Sequence, residues 1–209
     1  MTAKKPLLKV LILGDGGVGK SCLMNRFVNN HFDETSFHTI GVEFLKKELT
    51  INGESYVLQI WDTAGQERFK GLRTPFYRGS DLCLLVYSID DRMSFKNLSV
   101  WKNEFIYYAD LKDPSSFPFV VLGNKTDKPE ESRKVTMEDV TAWCKENGDI
   151  PNIETSAKDA INVEEAFTMA VKAWASLEEK QEKIYSTDTV NLNSHNSVGA
   201  SRSGCCSTK

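Results

Sequence analysis

Eight residues near the amino terminus, Gly14-Asp15-Gly16-Gly17-Val18-Gly19-Lys20-Ser21, have the types and spacing that hold a chain of phosphates. Glycines let a backbone wrap an anion, with several N–H groups turned inward and no side chain in the way. Lys20 offers a point charge to the outer phosphates, and Ser21 a hydroxyl to a Mg²⁺ ion. Such a loop is specific only in context. Here an apolar run, residues 7–13, precedes it, and Cys22-Leu23-Met24-Asn25-Arg26-Phe27 opens a helix behind it. The positive end of that helix dipole points at the loop. A glycine-rich turn that only joins strand to helix is the plainer reading, and the Lys-Ser ending with the right flanks disfavours it.

Three more sets follow. Asp62-Thr63-Ala64-Gly65-Gln66 comes at the end of a strand. A carboxylate there, facing the glycine loop, suits a Mg²⁺ site; the Gly65 N–H can approach a terminal phosphate, and Gln66 can orient an attacking water. In Asn124-Lys125-Thr126-Asp127, the Asp127 carboxylate can accept two parallel hydrogen bonds. Guanine offers that pair of donors and adenine does not, so Asp127 selects guanine by being left unpaired against the wrong base. Thr155-Ser156-Ala157-Lys158 can set a backbone N–H on the guanine carbonyl. Each set alone is a common turn; four in this order are not.

The elements that must position them alternate. Strands are expected at residues 7–13, 42–51, 55–61, 82–88, 117–122 and 152–155, and helices at 21–29, 94–109, 136–146 and 162–175. Asn52-Gly53-Glu54 marks an antiparallel hairpin between the second and third strands. The apolar run at 82–88 fits a strand covered on both faces. Alternation of this kind predicts an α/β fold, an open and mainly parallel sheet with helices on both faces, and a ligand at the carboxyl ends of its strands. Beyond about residue 177 the periodicity fails, and 188–209 is rich in Asn, Ser, Thr and Gly.

Composition narrows the function. The 209 residues suit one domain plus an appendage; 40% are hydrophobic and 26% charged, as in soluble proteins. A net charge of −3 gives no case for a nucleic-acid surface. No apolar run spans a membrane, and the start lacks a signal-peptide arrangement, so a cytosolic protein is expected. Cys22, Cys83 and Cys144 are isolated within apolar segments and read as small hydrophobes, whereas Cys205 and Cys206 are adjacent and almost terminal.

The four motifs resemble those of the Ras-like small GTPases, over residues 5 to about 177. The resemblance implies a P-loop NTPase fold with a six-stranded, mostly parallel sheet and one antiparallel edge strand. It divides the chain into a GTPase domain, 1–177, and a flexible tail, 178–209. It implies GTP and GDP as ligands of Gly16, Gly17, Val18, Gly19, Lys20, Ser21, Cys22, Phe32, Thr39, Gly65, Asn124, Lys125, Asp127, Ser156, Ala157 and Lys158, with Mg²⁺ held by Ser21, Thr39 and Asp62. Thr39 matches the first-switch threonine that ligates Mg²⁺ only with GTP bound, and Phe32 the aromatic on the guanine edge. Lys20, Gly65 and Gln66 carry hydrolysis. No arginine in the motifs is placed as an internal finger, so turnover is expected to be slow without an activating protein, whose help is worth about 10³–10⁵ in rate.

Segments 40–44, 58–61, 67–69, 76–80 and 85–87 resemble the Rab branch. Phe44, Trp61 and Phe76 match its effector-binding aromatics, with Ile40 and Gly41 beside them; Phe76 is expected to be the most exposed of the three. Rab activators are similar in donating both an arginine and a glutamine, which leaves the water-positioning role open between Gln66 and the activator. Segments 38–44, 104–110 and 187–192 are similar to a subgroup associated with late endosomes and return traffic to the trans-Golgi network; 113–118 points to a neighbouring subgroup. Cys205-Cys206 resembles a double geranylgeranylation site, although Ser207-Thr208-Lys209 follow it and Cys206-Ser207-Thr208-Lys209 is a poor C-a-a-X box. The resemblance implies a monomer on the cytosolic face of membranes with an extractable cytosolic pool. It also implies an exchange factor, a dissociation inhibitor, an escort protein, and effectors that read both switches. Two rivals exist. A P-loop kinase or ATPase leaves 124–127 and the paired cysteines unexplained, and a binding module without turnover does not need Thr39, Asp62 and Gln66 intact.

Overall fold

In the computed structural model, residues 5–33, 39, 41–66 and 69–187 are described, with side chains as far as residue 179. Six strands form one sheet: β1 (Leu7–Leu13), β2 (Val42–Ile51), β3 (Glu54–Thr63), β4 (Leu82–Ser88), β5 (Phe119–Asn124) and β6 (Asn152–Thr155), in the order β2-β3-β1-β4-β5-β6. All neighbours are parallel except β2 and β3. The expected six-stranded sheet with one antiparallel edge strand is the observed one. Ile51 pairs with Glu54, so Asn52 and Gly53 make a two-residue turn, both at positive φ (52° and 88°). Asn-Gly is the pair that turn geometry favours.

Helices α1 (Lys20–Asn29), α2 (Lys70–Arg73), α3 (Arg92–Lys96), α4 (Leu98–Ala109), α5 (Met137–Glu146) and α6 (Val163–Thr187) complete the chain. Side chains alternate across a strand, and β1 shows the result. Val10 and Ile12 join a core under α1 and α6, with Phe27 and Phe167, while Leu11 and Leu13 join a second core under α4 and α5, with Phe105 and Cys144. Both faces are covered, which is why β4 is buried at every position.

Boundaries differ from expectation where a local bond outweighs periodicity. The helix expected at 94–109 is two: Asp91 caps α3 by accepting from the N–H groups of Met93 and Ser94, and Asn97 breaks it from α4. The ladder to β2 carries β3 on to Thr63, paired with Val42, so Asp62 lies within the strand rather than after it. Likewise β5 begins two residues late, after Pro118, and runs into Asn124. α6 continues to Thr187, well past residue 175, in a stretch where Leu, Glu, Lys and Gln are good helix formers. The order of strands reverses at β1, the switch point at which open sheets bind ligands. The loops after β1, β3, β5 and β6 all open on that end.

Candidate functional site

The glycine loop leaves β1 at Leu13 and enters α1 at Lys20, with Gly19 at φ 97° in the left-handed region. A Cβ on Gly19 would stand 2.3 Å from Asn124 Nδ2. Lys20 is buried, and its ammonium donates to the carbonyls of Gly14 and Asp15, both at 2.8 Å. It therefore bridges the loop from inside. Burial lowers its pKa to about 8 against the pull of Asp62 and Asp15.

Three oxygens meet beside it. Ser21 Oγ lies 2.5 Å from Asp62 Oδ2 and 2.6 Å from Thr39 Oγ1, and Thr39 Oγ1 is 3.2 Å from Asp62 Oδ2. Asp62 is fully buried; burial raises its carboxyl pKa, opposed by Lys20. Its other oxygen, Oδ1, is buried with no partner among the described residues. An orphaned carboxylate oxygen is costly. Hard oxygen donors with one acceptor unspent are what Mg²⁺ takes, so these three residues fit the ion that the motifs imply.

The second of the two switch segments that the resemblance implies begins after β3, at Gly65, and closes on the loop. A Cβ on Gly65 would fall 2.4 Å from the carbonyl carbon of Asp15 and 2.5 Å from Gly14 O and Gly16 N, all backbone. Gly65→Ala is thus expected to keep the segment open: GDP affinity stays within a few-fold, and single-turnover GTP hydrolysis slows by roughly tenfold, because the reacting groups lose alignment. An unchanged hydrolysis rate would refute this close approach. Gln66 lies over Gly16, its Cγ 3.4 Å from where a Gly16 Cβ would sit.

On the other side of the loop a cleft of about 430 Å³ is lined by Gly17, Gly19, Cys22, Phe32, Lys125, Asp127, Ala157 and Lys158, among others. Ser156 Oγ donates to Asp127 Oδ1 at 2.7 Å, which aims the carboxylate. Lys125 sits at φ 75°, an unusual angle for a long side chain and a mark of local strain. Asn124, expected at the nucleotide, lines this cleft and is at the same time a buried strut. Its Nδ2 donates to Val18 O at 2.9 Å, and its Oδ1 accepts from the Ala157 N–H at 3.2 Å. Phosphate loop and base loop are thereby fixed to each other. Within the segment 155–158, expected to set a backbone N–H on the base, the Ala157 N–H is the one engaged by Asn124.

The aromatics expected at an effector surface form a stack. Phe44 lies 4.9 Å from Trp61 and Trp61 5.2 Å from Phe76, centroid to centroid. Phe44, not Phe76, is the most exposed of the three, at 49%. It stands on the outer edge strand, whereas the turn Thr74–Phe76 folds Phe76 back towards Trp61. Gly41 O accepts from the Ala64 N–H at 3.0 Å, joining the two switch segments. Ile40, Cys205 and Cys206 lie outside the described residues. No described helix is long and apolar enough to cross a membrane.

Sequence reading missed two supports. Arg26 on α1 donates to Ala157 O at 2.8 Å and Lys158 O at 2.9 Å, holding the base loop from below. Asp15 receives hydrogen bonds from Asn97 and Trp101. Neither is visible without the fold, since the partners are 82 to 132 residues apart.

A sequence model of the Ras family matches residues 9–176. Ras-related protein Rab-9B of Homo sapiens is 60% identical over 206 residues, 99% of this chain and 100% of that protein. Rab-9A of Mus musculus is 62% identical over 192 residues, 92% of this chain and 94% of that protein. The GTP-binding protein yptV5 of Volvox carteri is 47% identical over 205 residues, 98% of this chain and 99% of that protein.

Proposed function

The chain belongs to the Ras family of small GTPases, on its Rab branch, and from that premise we propose how its residues share the work and which membranes it serves. It is a GTP hydrolase, a switch between GTP and GDP that uses Mg²⁺ and is governed by activating proteins, exchange factors and effectors. Ser21 and Thr39 hold Mg²⁺, with Asp62 behind them; the ion, when bound, neutralises charge on the outer phosphates. Lys20 takes charge that develops on the same oxygens. Gly65 offers its N–H to the terminal phosphate, and Gln66 orients water, alone or with a glutamine from the activator. Asp127, aimed by Ser156, reads guanine across the cleft that Phe32 and Lys125 line.

The observation that carries this reading is convergence. Thr39 and Gly65 come from different segments, yet Thr39 reaches Ser21 and Gly65 rests against the loop backbone. A terminal phosphate would tie both down, and its loss would release both at once. The difference between the tied and released shapes is what effectors and exchange factors distinguish, with the Phe44–Trp61–Phe76 stack on the reading surface.

The tail sets the place of action. Geranylgeranyl groups on Cys205 and Cys206 give stable anchoring, since one lipid chain is marginal and two are not. An escort protein presents the chain for this, and a dissociation inhibitor withdraws it into the cytosol. Likeness to Rab-9A and Rab-9B supports late endosomes and the trans-Golgi network as its membranes. A tagged full-length chain is expected on those compartments, and the double variant Cys205→Ser/Cys206→Ser in the cytosol. Residence of the intact chain elsewhere, or membrane retention of the variant, would overturn the assignment.

A further inference from the structure

One stripe of α4 and its leading residue, Asn97, Trp101 and Glu104, touches both the phosphate loop and the second switch segment. Asn97 Nδ2 donates to Asp15 Oδ2, and Trp101 Nε1 to Asp15 Oδ1, each at 2.7 Å. One turn further on, Glu104 accepts from Arg73 through Nε at 3.0 Å and Nη2 at 3.2 Å, from the Tyr77 hydroxyl at 2.8 Å, and from Lys70 at 3.2 Å. Positions three and four apart on a helix share a face, which is why one element reaches both partners.

Arg73 is the link between them. It is only 3% exposed, its guanidinium lies 4.4 Å from the Trp101 ring centroid, and its Nη1 donates to the carbonyl of Gln66 at 2.9 Å. Trp101 therefore binds the loop with its edge and Arg73 with its face. Burial alone would raise the Glu104 carboxyl; hydrogen bonds from Arg73, Tyr77 and Lys70 hold it below its usual value instead. Buried ion pairs are weak devices for stability, because desolvation offsets their attraction. The bond to Gln66 O gives this pair another use. Arg73 fixes the main chain of the residue whose side chain lies over Gly16.

We propose that Arg73, clamped by Glu104 and Trp101, is a positioning residue for hydrolysis: it sets the place of Gln66 relative to the phosphate loop, and α4 is the frame on which both are registered. The inference rests on the GTPase reading, and nucleotide affinity tests that reading separately. Arg73 is absent from the lining of the cleft at Phe32 and Asp127 and lines instead the adjoining cavity with Gly16, Gly65 and Gln66, so its loss is expected to fall on hydrolysis more than on binding.

The test uses the full chain and three variants. Arg73→Met removes the fork, Arg73→Lys keeps the charge but cannot span Glu104 and Gln66 O together, and Glu104→Gln keeps shape while weakening the clamp. Expected are GDP and GTP affinities within about twofold of the parent, and single-turnover intrinsic hydrolysis slower by about tenfold in Arg73→Met, with Arg73→Lys failing to rescue it and Glu104→Gln intermediate. A merely structural pair would lower the melting temperature and leave the hydrolysis-to-affinity ratio unmoved. Unchanged hydrolysis in a folded Arg73→Met, rescue by Arg73→Lys, or affinity falling in step with rate would each overturn the proposal. Should Arg73→Met not fold, Glu104→Gln decides: normal hydrolysis in that variant refutes it.

Discussion

Lys20→Ala is expected to weaken GDP and GTP binding by about a thousandfold, the loss that accompanies removal of one partner from a buried charge cluster. The ammonium serves on two sides. Outward, on the proposed reading, it would meet the phosphates; inward, it occupies the carbonyls of Gly14 and Asp15 and balances the buried Asp62 carboxylate. Alanine strips the loop of its bridge and leaves Asp62, already with one oxygen unpartnered among the described residues, short of a counter-charge. Lys20→Arg should not restore binding, because a planar fork does not fit where a compact ammonium meets two carbonyls and a phosphate. Fluorescence titration and the GDP dissociation rate provide the check. Affinity within tenfold of the parent would show that Lys20 is no phosphate ligand.

How far such a site can be read from sequence depends on whether its signal is local. Glycine spacing, the Lys-Ser ending and the Asn52-Gly53 turn are local chemistry, and each element appears where they put it. The strand ends were less legible. Pairing with Val42, not the residues themselves, extends β3 through Thr63, and a cap at Asp91 starts a helix ahead of its apolar repeat. The continuation of α6 to Thr187 was hidden because apolar periodicity, the signal used to place helices, fades beyond about residue 177 while helix-forming residues continue.

The candidate site divides the same way. Residues that would touch nucleotide belong to motifs, so Ser21, Thr39, Asp62 and Asp127 could be named before any coordinate. Residues that hold those in place do not. Asn124 lies in a motif yet spends its amide on Val18 and Ala157, so its motif position records a structural duty as much as a binding one. Arg26, Trp101 and Arg73 belong to no motif; their roles come from backbone carbonyls and carboxylates brought in by distant chain. Phe44 and Phe76 exchange their expected exposure for a related reason: an edge strand presents its outer face, while a tight turn folds its aromatic inward.

Asp127→Asn is expected to exchange the base that the protein selects. Guanine presents N1–H and an amine to the Asp127 carboxylate, both donors. Xanthine has a carbonyl where guanine has the amine, so it presents one donor and one acceptor, which an amide matches and a carboxylate does not. The Ser156 hydroxyl, 2.7 Å from Asp127 Oδ1, would still hold an oxygen at that position and leave the amide nitrogen to face the base. The mismatch with guanine then leaves buried polar groups unpaired, the situation in which discrimination is largest, about 10⁴ or more in favourable sites. In competition experiments the parent should prefer GTP to XTP and ATP, and the variant XTP to GTP, with ATP poor in both, because adenine offers neither pattern. A parent that binds ATP as well as GTP, or a variant that still prefers GTP, would remove Asp127 from the base and with it the guanine specificity argued from 124–127. Strain at Lys125 and the Asn124 strut would remain, as features of a loop with no base to read.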